Sequence, residues 1–160
     1  MRKPDRIARG PRPSSIARVP GIDYAELDTM LGYALKRAQI AAFEAFSRAT
    51  SGVGITPPRY TALVILHANP GITQSLLGEV LGTARSGAML LTDWLEGRDL
   101  AERRHRPDDG RAWGLYLTAR GERLLETLRR RVRAQDQRFA ARLTKTDQRQ
   151  LLRFLEKLAA

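Results

Sequence analysis

The run from Ile72 to Leu117 reads ITQSLLGEVLG (72–82), TARSGAMLLTDWLEGRDL (83–100) and AERRHRPDDGRAWGLYL (101–117). Thr73 is a helix-capping residue, so the pattern predicts a short helix over Gln74–Leu81 that ends at Gly82. Thr83 is in place to cap a second helix, Ala84 to about Gly97. Its Ala84, Ala88, Leu91 and Leu95 recur at helical spacing and predict one inward stripe. Leu100–Arg106 and Ala112–Leu117 read as strands around Pro107-Asp108-Asp109-Gly110, and Asp-Gly is a hairpin signal. The order is helix, tight turn, helix, basic hairpin.

Working outward, apolar residues from Ile22 to about Ala49 fall at helical spacing on a broad face, which predicts one helix over that span. Thr56-Pro57 opens a helix that runs Pro58–His67 and stops at Asn69-Pro70-Gly71. Thr118 to about Leu143 predicts a long helix with Leu124, Leu125, Leu128, Val132 and Phe139 inward. Asp147–Leu158 predicts a last amphipathic helix. The expected class is mainly α: a winged helix-turn-helix, about 55–117, with flanking helices at about 22–50 and 118–160. The flanking helices carry more apolar face than so small a domain covers, which predicts a homodimer. Residues 1–20 hold Arg2, Lys3, Arg6, Arg9, Arg12 and Arg18 among four prolines, and read as a disordered basic arm.

Net charge is +11, and lysine occurs only at Lys3, Lys36, Lys145 and Lys157, so the basic side chains are overwhelmingly arginine. That charge repels itself in a compact fold and points to a polyanionic partner, which for this element order is double-stranded DNA. Cysteine is absent, which excludes disulfides, thiolate metal sites and thiol chemistry. The only histidines, His67 and His105, have no nucleophile constellation around them, so an enzyme is not expected. No apolar run approaches the roughly 20 residues of a membrane span, and no secretory signal is seen at residues 1–20. The expectation is a cytoplasmic, nucleoid-associated protein with no cofactor.

Together these segments resemble the MarR family of bacterial transcription regulators. ITPPRYTALVIL (55–66) is similar to the family's "LTxxqyxvL" helix, and NPGITQSLLGEVLG (69–82) to "pgltqxeLAexlg". LTDWLEGRDLAERR (91–104) is similar to "lvdrLexrGLvxR", and PDDGRAWGLYLTARGERLLE (107–126) to "pDxRaxxxxLTxxGxxll". The likeness runs over about residues 27–143. LGYALKRAQIAAF (31–43) further resembles members that respond to aromatic acids or their coenzyme A thioesters. Two departures stand out. Met89 and Leu90 replace a polar pair in the recognition helix, and Asp99 replaces the glycine of "rGL".

The candidate DNA contacts follow from placement. Arg85 and Ser86 lie in the first turn of the recognition helix, with Met89 one turn on as an apolar contact for a thymine methyl. Thr73 and Gln74 start the preceding helix, where they would cap it and meet backbone phosphate, and Thr83 begins the next. Arg103, Arg104, His105 and Arg106 lie on the wing, where strand alternation sends neighbours to opposite faces. The resemblance implies that Asp109 holds the wing by pairing with an arginine and that Arg111 enters the minor groove. It also implies an effector cleft beside the dimer helices, for which Tyr33, Arg37, Arg59 and Tyr60 are the candidates. An aromatic carboxylate or a coenzyme A thioester is the expected effector, and release of a palindromic operator by a homodimeric repressor the expected function. A sequence-tolerant architectural DNA binder is the alternative.

Overall fold

The computed structural model describes residues 18–106 and 112–159. Its contacts divide the chain into two compact units, Met1–Glu44 and Ala45–Ala160. The basic arm predicted over residues 1–20 lies almost wholly outside the described residues.

In the first unit a short 3-10 helix, Ala25–Thr29, precedes helix α1, Leu31–Ala49, which continues into the second unit. The single helix expected from Ile22 is therefore broken. Met30 is extended, with ψ 117°, and apolar spacing does not register a one-residue interruption. Arg18 pairs with Asp28 and lies over the Tyr24 ring at 5.3 Å. Leu31, Leu35 and Phe43 of α1 are exposed.

The second unit holds α2 (Pro57–Ala68), α3 (Gln74–Val80), α4 (Arg85–Glu96), β1 (Ala101–His105), β2 (Trp113–Leu117), α5 (Ala119–Phe139) and α6 (Lys145–Ala159). β1 and β2 pair antiparallel, with Arg103 opposite Leu115 and His105 opposite Trp113. Ile72 adds a one-residue bridge to Leu115, so the chain before α3 lies along the wing. Gly114 makes this possible, because a Cβ there would stand 2.7 Å from the Gly71 carbonyl oxygen.

The core of this unit joins α2, α3, α4, the wing and α5. Leu63 and Leu66 from α2, Leu77 from α3, Leu95 from α4, Leu115 from β2 and Leu125 and Leu128 from α5 are each at most 2% exposed. Burying side chains of this size contributes about 1.5–3 kcal/mol apiece. The stripe on α4 departs from expectation at one end: Ala88, Leu91 and Leu95 turn inward, while Ala84 is exposed. Thr92 is fully buried beside them, its hydroxyl donating to the Ala88 carbonyl at 2.8 Å. Phe139, expected inward, is 44% exposed. It sits in the last turn of α5, beyond Leu128, where the helix has outrun the core. No residue of α6 is buried.

Candidate nucleic-acid interface

The reading head is α3, a four-residue turn and α4. Thr73 caps α3 as expected, its hydroxyl oxygen accepting from the Leu76 amide at 3.3 Å. The helix ends at Gly82, whose φ of +59° closes two bonds at once. The Gly82 amide donates to the Glu79 carbonyl and the Thr83 amide to the Gly78 carbonyl, each at 3.0 Å. That double bond is a Schellman stop, and glycine is the residue that reaches it without strain. Gly78 lets the two helices close up, since a Cβ on it would meet the Ala88 Cβ at 3.1 Å.

Thr83 does not cap α4. The cap position falls one residue later, on Ala84, which has no side-chain acceptor. The Thr83 hydroxyl instead lies over Gly87, where any side chain would strike it. The N-terminal amides of α4 therefore lack a side-chain partner and face outward beside Arg85 and Ser86, both exposed. Unpartnered amides at a helix start attract anions such as phosphate. One turn on, Met89 is 47% and Leu90 68% exposed, so the outer face of α4 is polar at its start and apolar behind.

The wing divides its arginines between two tasks. Arg103 is only 33% exposed and is held on three sides. Its guanidinium donates to Gln74 Oε1 at 2.9 Å, to Asp93 Oδ1 at 3.0 Å, and to Glu96. It thereby ties β1 to the first residue of α3 and to α4. Arg103, a candidate DNA contact by its place on the wing, thus directs three of its five N–H donors to partners inside the lobe. Gln74 accepts through its oxygen and keeps its amide N–H groups for another partner. Arg104 is exposed, pairs with Glu102 and lies over the Tyr116 ring at 5.3 Å. The pair with Glu102 raises the Arg104 pKa, first through the hydrogen bond and then through its charge. His105 stacks on Trp113 across the strands, ring centres 4.0 Å apart. Trp113 is 54% exposed, so it covers the wing surface and is not a buried packing residue. The Arg106 amide closes the hairpin by donating to the Ala112 carbonyl at 2.9 Å. Asp109 and Arg111, and the tip that carries them, lie outside the described residues.

The end of α4 repeats the device that ends α3. Asp99 has φ +56°, its amide donates to the Glu96 carbonyl, and the Leu100 amide donates to Leu95. Aspartate tolerates this left-handed backbone better than most residues, which answers its replacement of the expected glycine. Thr118 then fastens the turn to α5: its hydroxyl donates to the Asp99 carbonyl at 2.6 Å and accepts from the Gly121 amide at 3.0 Å.

Of the effector candidates, Tyr33 and Arg37 meet within the first unit, the guanidinium 5.9 Å from the ring centre. In the second unit Arg59 and Tyr60 are neighbours on α2 with different surroundings. Arg59 donates to the Gly54 carbonyl at 2.8 Å and stacks on Trp94 at 3.7 Å. Tyr60 packs against Phe46 at 5.7 Å, and burial raises its phenol pKa against the opposing pull of Arg129. An open cleft of about 640 Å³ runs between α2 and the head, lined by Thr56, Arg59, Thr83, Leu90 and Trp94 among others. His67 on α2 joins Glu122 on α5 at 2.7 Å, a link that charge and spacing alone do not announce. Among the described residues no group of three or more acidic or histidine side chains could hold a metal, and no helix is long and apolar enough to cross a membrane.

Comparison with known proteins places this geometry. The MarR family model matches residues 55–113. A Thauera aromatica protein named for transcriptional regulation of the hcr operon is 36% identical over 129 residues, covering 80% of this chain and 78% of the relative. The solved structure of the transcriptional repressor CouR bound to a 23-mer DNA duplex superposes with a TM-score of 0.81 at 35% identity, covering 87% of this chain and 99% of that one. CouR bound to p-coumaroyl-CoA superposes with a TM-score of 0.77 at 34% identity, covering 86% and 97%.

Proposed function

This chain belongs to the MarR family of transcription regulators, and from that premise we propose that it is a ligand-responsive repressor that binds a palindromic operator as a homodimer. The observation that carries the reading is the outer face of α4. It offers Arg85, Ser86, Met89 and Leu90 to solvent while the inner face is locked into the core. Such a face enters a major groove. Arg85 and Ser86 would supply hydrogen bonds and Met89 an apolar contact. Thr73, the free amide of Gln74, Thr83, Arg104, His105 and Arg106 would engage the flanking backbone, with Asp109 and Arg111 at the wing tip. Arg103 is better placed to hold the head together than to touch DNA.

Pairing is supported by the exposed apolar faces of α1 and α6, which water does not favour and a second copy would cover. A two-fold dimer would present its heads to half-sites about 34–36 Å apart. The likeness to CouR bound to p-coumaroyl-CoA supports an aromatic acid or its coenzyme A thioester as effector. Tyr33 and Arg37 suit an aromatic anion. Arg59 and Tyr60 are the other candidates. Release would follow if the effector binds better to a dimer whose heads are wrongly spaced for the operator, and the coupling is reciprocal between the sites. The protein would act in the cytoplasm, on nucleoid DNA.

The exposed Met89 and Leu90 also favour a second reading, a sequence-tolerant architectural binder. A salt-titrated gel shift against DNA upstream of the protein's own gene separates the two. A repressor prefers its site over unrelated duplex by about 10³-fold or more, and loses it when an aromatic acid or its thioester is added. Equal competition by unrelated duplex would overturn the repressor reading.

A further inference from the structure

Trp94 on α4 carries two guanidinium groups. Arg59 from α2 lies 3.7 Å from the ring centre and Arg98, just past α4, lies 4.1 Å from it. Two groups that near one ring centre need separate faces, so the indole is sandwiched between them. On the Arg98 side a hollow of about 230 Å³ is lined by Trp94, Arg98, Val53, Leu100, Leu124 and Arg120 of α5.

Among the described residues Arg59, Arg98 and Arg120 have no carboxylate partner, whereas Arg18, Arg103 and Arg104 are each joined to an acidic side chain. The carboxylates of α4 that could answer them, Asp93 and Glu96, are both taken by Arg103. Arg59 donates to a neutral carbonyl. Its pKa is lowered, first by burial and then by the charge of Arg98, so the two cations repel each other across the ring. A stacked guanidinium spends its face and keeps its N–H edge, held in one orientation. Like charges fixed together without a counter-charge make a ready place for an anion.

We propose that Arg98 and Arg120, with Trp94 fixing Arg98, form a phosphate-binding site. The fork of N–H donors matches phosphate oxygens, and two arginines suit a dianionic group. The phosphate can come from a DNA backbone or from a free phosphorylated molecule. The proposal does not rest on sequence-specific DNA reading.

The test uses Trp94 as its own reporter. Trp113→Phe leaves it the only tryptophan, and this variant is titrated with pyrophosphate at ionic strength held constant with sodium chloride. The expected result is a saturable change in emission. The added substitution Arg120→Gln weakens it by about tenfold or more, the size of one charge-assisted hydrogen bond. Arg120 is exposed, so this variant keeps its fold, as circular dichroism would check. An emission that does not respond, or one that titrates identically after Arg120→Gln, overturns the site. Adding duplex assigns the source. If duplex reproduces the change and pyrophosphate displaces it, the backbone supplies the phosphate. If pyrophosphate binds equally well to the duplex-saturated protein, the site serves a free phosphorylated molecule.

Discussion

The lobe built from α2, α3, α4 and the wing, and the terminal helix α6, solve the same problem in opposite ways. In the lobe, leucines from its three helices and a strand meet those of α5 at 2% exposure or less. In α6, Leu151, Leu152, Phe154 and Leu158 are 44–61% exposed. Both elements have good amphipathic patterns. The difference is that the lobe contains its own partners, and α6 waits for one. The interior of the lobe is finished within one chain, so its surface is free to be spent on recognition. The apolar face of α6 is left exposed, and it is the face that we propose a second copy covers.

The sharpest way to break that contrast is paired truncation. Leu95→Ala should cost about 2–5 kcal/mol of unfolding free energy, because it leaves a cavity among side chains that cannot collapse onto it. That cost should be the same at low and high protein concentration. Leu152→Ala should cost a dimer contact instead, so its effect on the thermal midpoint should grow with concentration, as linkage to association requires. Thermal unfolding of both variants at two concentrations decides it. A concentration-independent loss in Leu152→Ala would mean that α6 is stabilised within its own chain.

Within the lobe, Arg103 and Arg85 should separate positioning from contact. Arg103→Gln should lower operator affinity about tenfold, because the wing and the start of α3 lose their shared tie. The slope of affinity against salt should barely move. Arg85→Gln should reduce that slope by about 1, the signature of a lost phosphate contact. A full unit lost from the slope in Arg103→Gln would return Arg103 to the DNA surface.

The smallest effect belongs to the start of α6. The Asp147 carboxylate accepts from the Thr144 hydroxyl at 2.7 Å and amide at 2.9 Å, and the Thr144 hydroxyl accepts in turn from the Asp147 amide. This capping box lowers the Asp147 pKa, the hydroxyl bond counting most. A depressed folded pKa means that the stabilisation is present above the ordinary carboxylate range and fades as pH falls through the folded value. Helix content of α6 should therefore fray on acidification, and Asp147→Asn should weaken the box at neutral pH and flatten its acid dependence. Circular dichroism against pH would show the wild-type and variant curves converging at low pH. Curves that stay parallel would remove the carboxylate from the cap.

What the sequence disclosed, and what it withheld, follows the range of the interactions. Thr73 as a cap, Gly82 as a stop and the paired wing were all legible, because each is decided by residues within a few positions. The family likeness extended that to most of the chain. The intramolecular partners of Arg103 were not legible. Its partners lie 7, 10 and 29 residues away, and a basic strand beside a recognition helix reads as a phosphate contact until those distances are known. Thr92 was missed because a hydroxyl satisfied by its own helix is polar in sequence and apolar in effect. Thr83 missed the cap by one residue, since the turn spends it against Gly87 instead.

The left-handed residues Gly82 and Asp99 bracket α4 like the two ends of a replaceable part. Between them, the side chains that meet solvent at the front, Arg85, Ser86, Met89 and Leu90, take no share in the interior. A lineage can therefore rewrite those four letters, and with them the DNA word we propose they read, while inheriting the folding of the remainder unchanged.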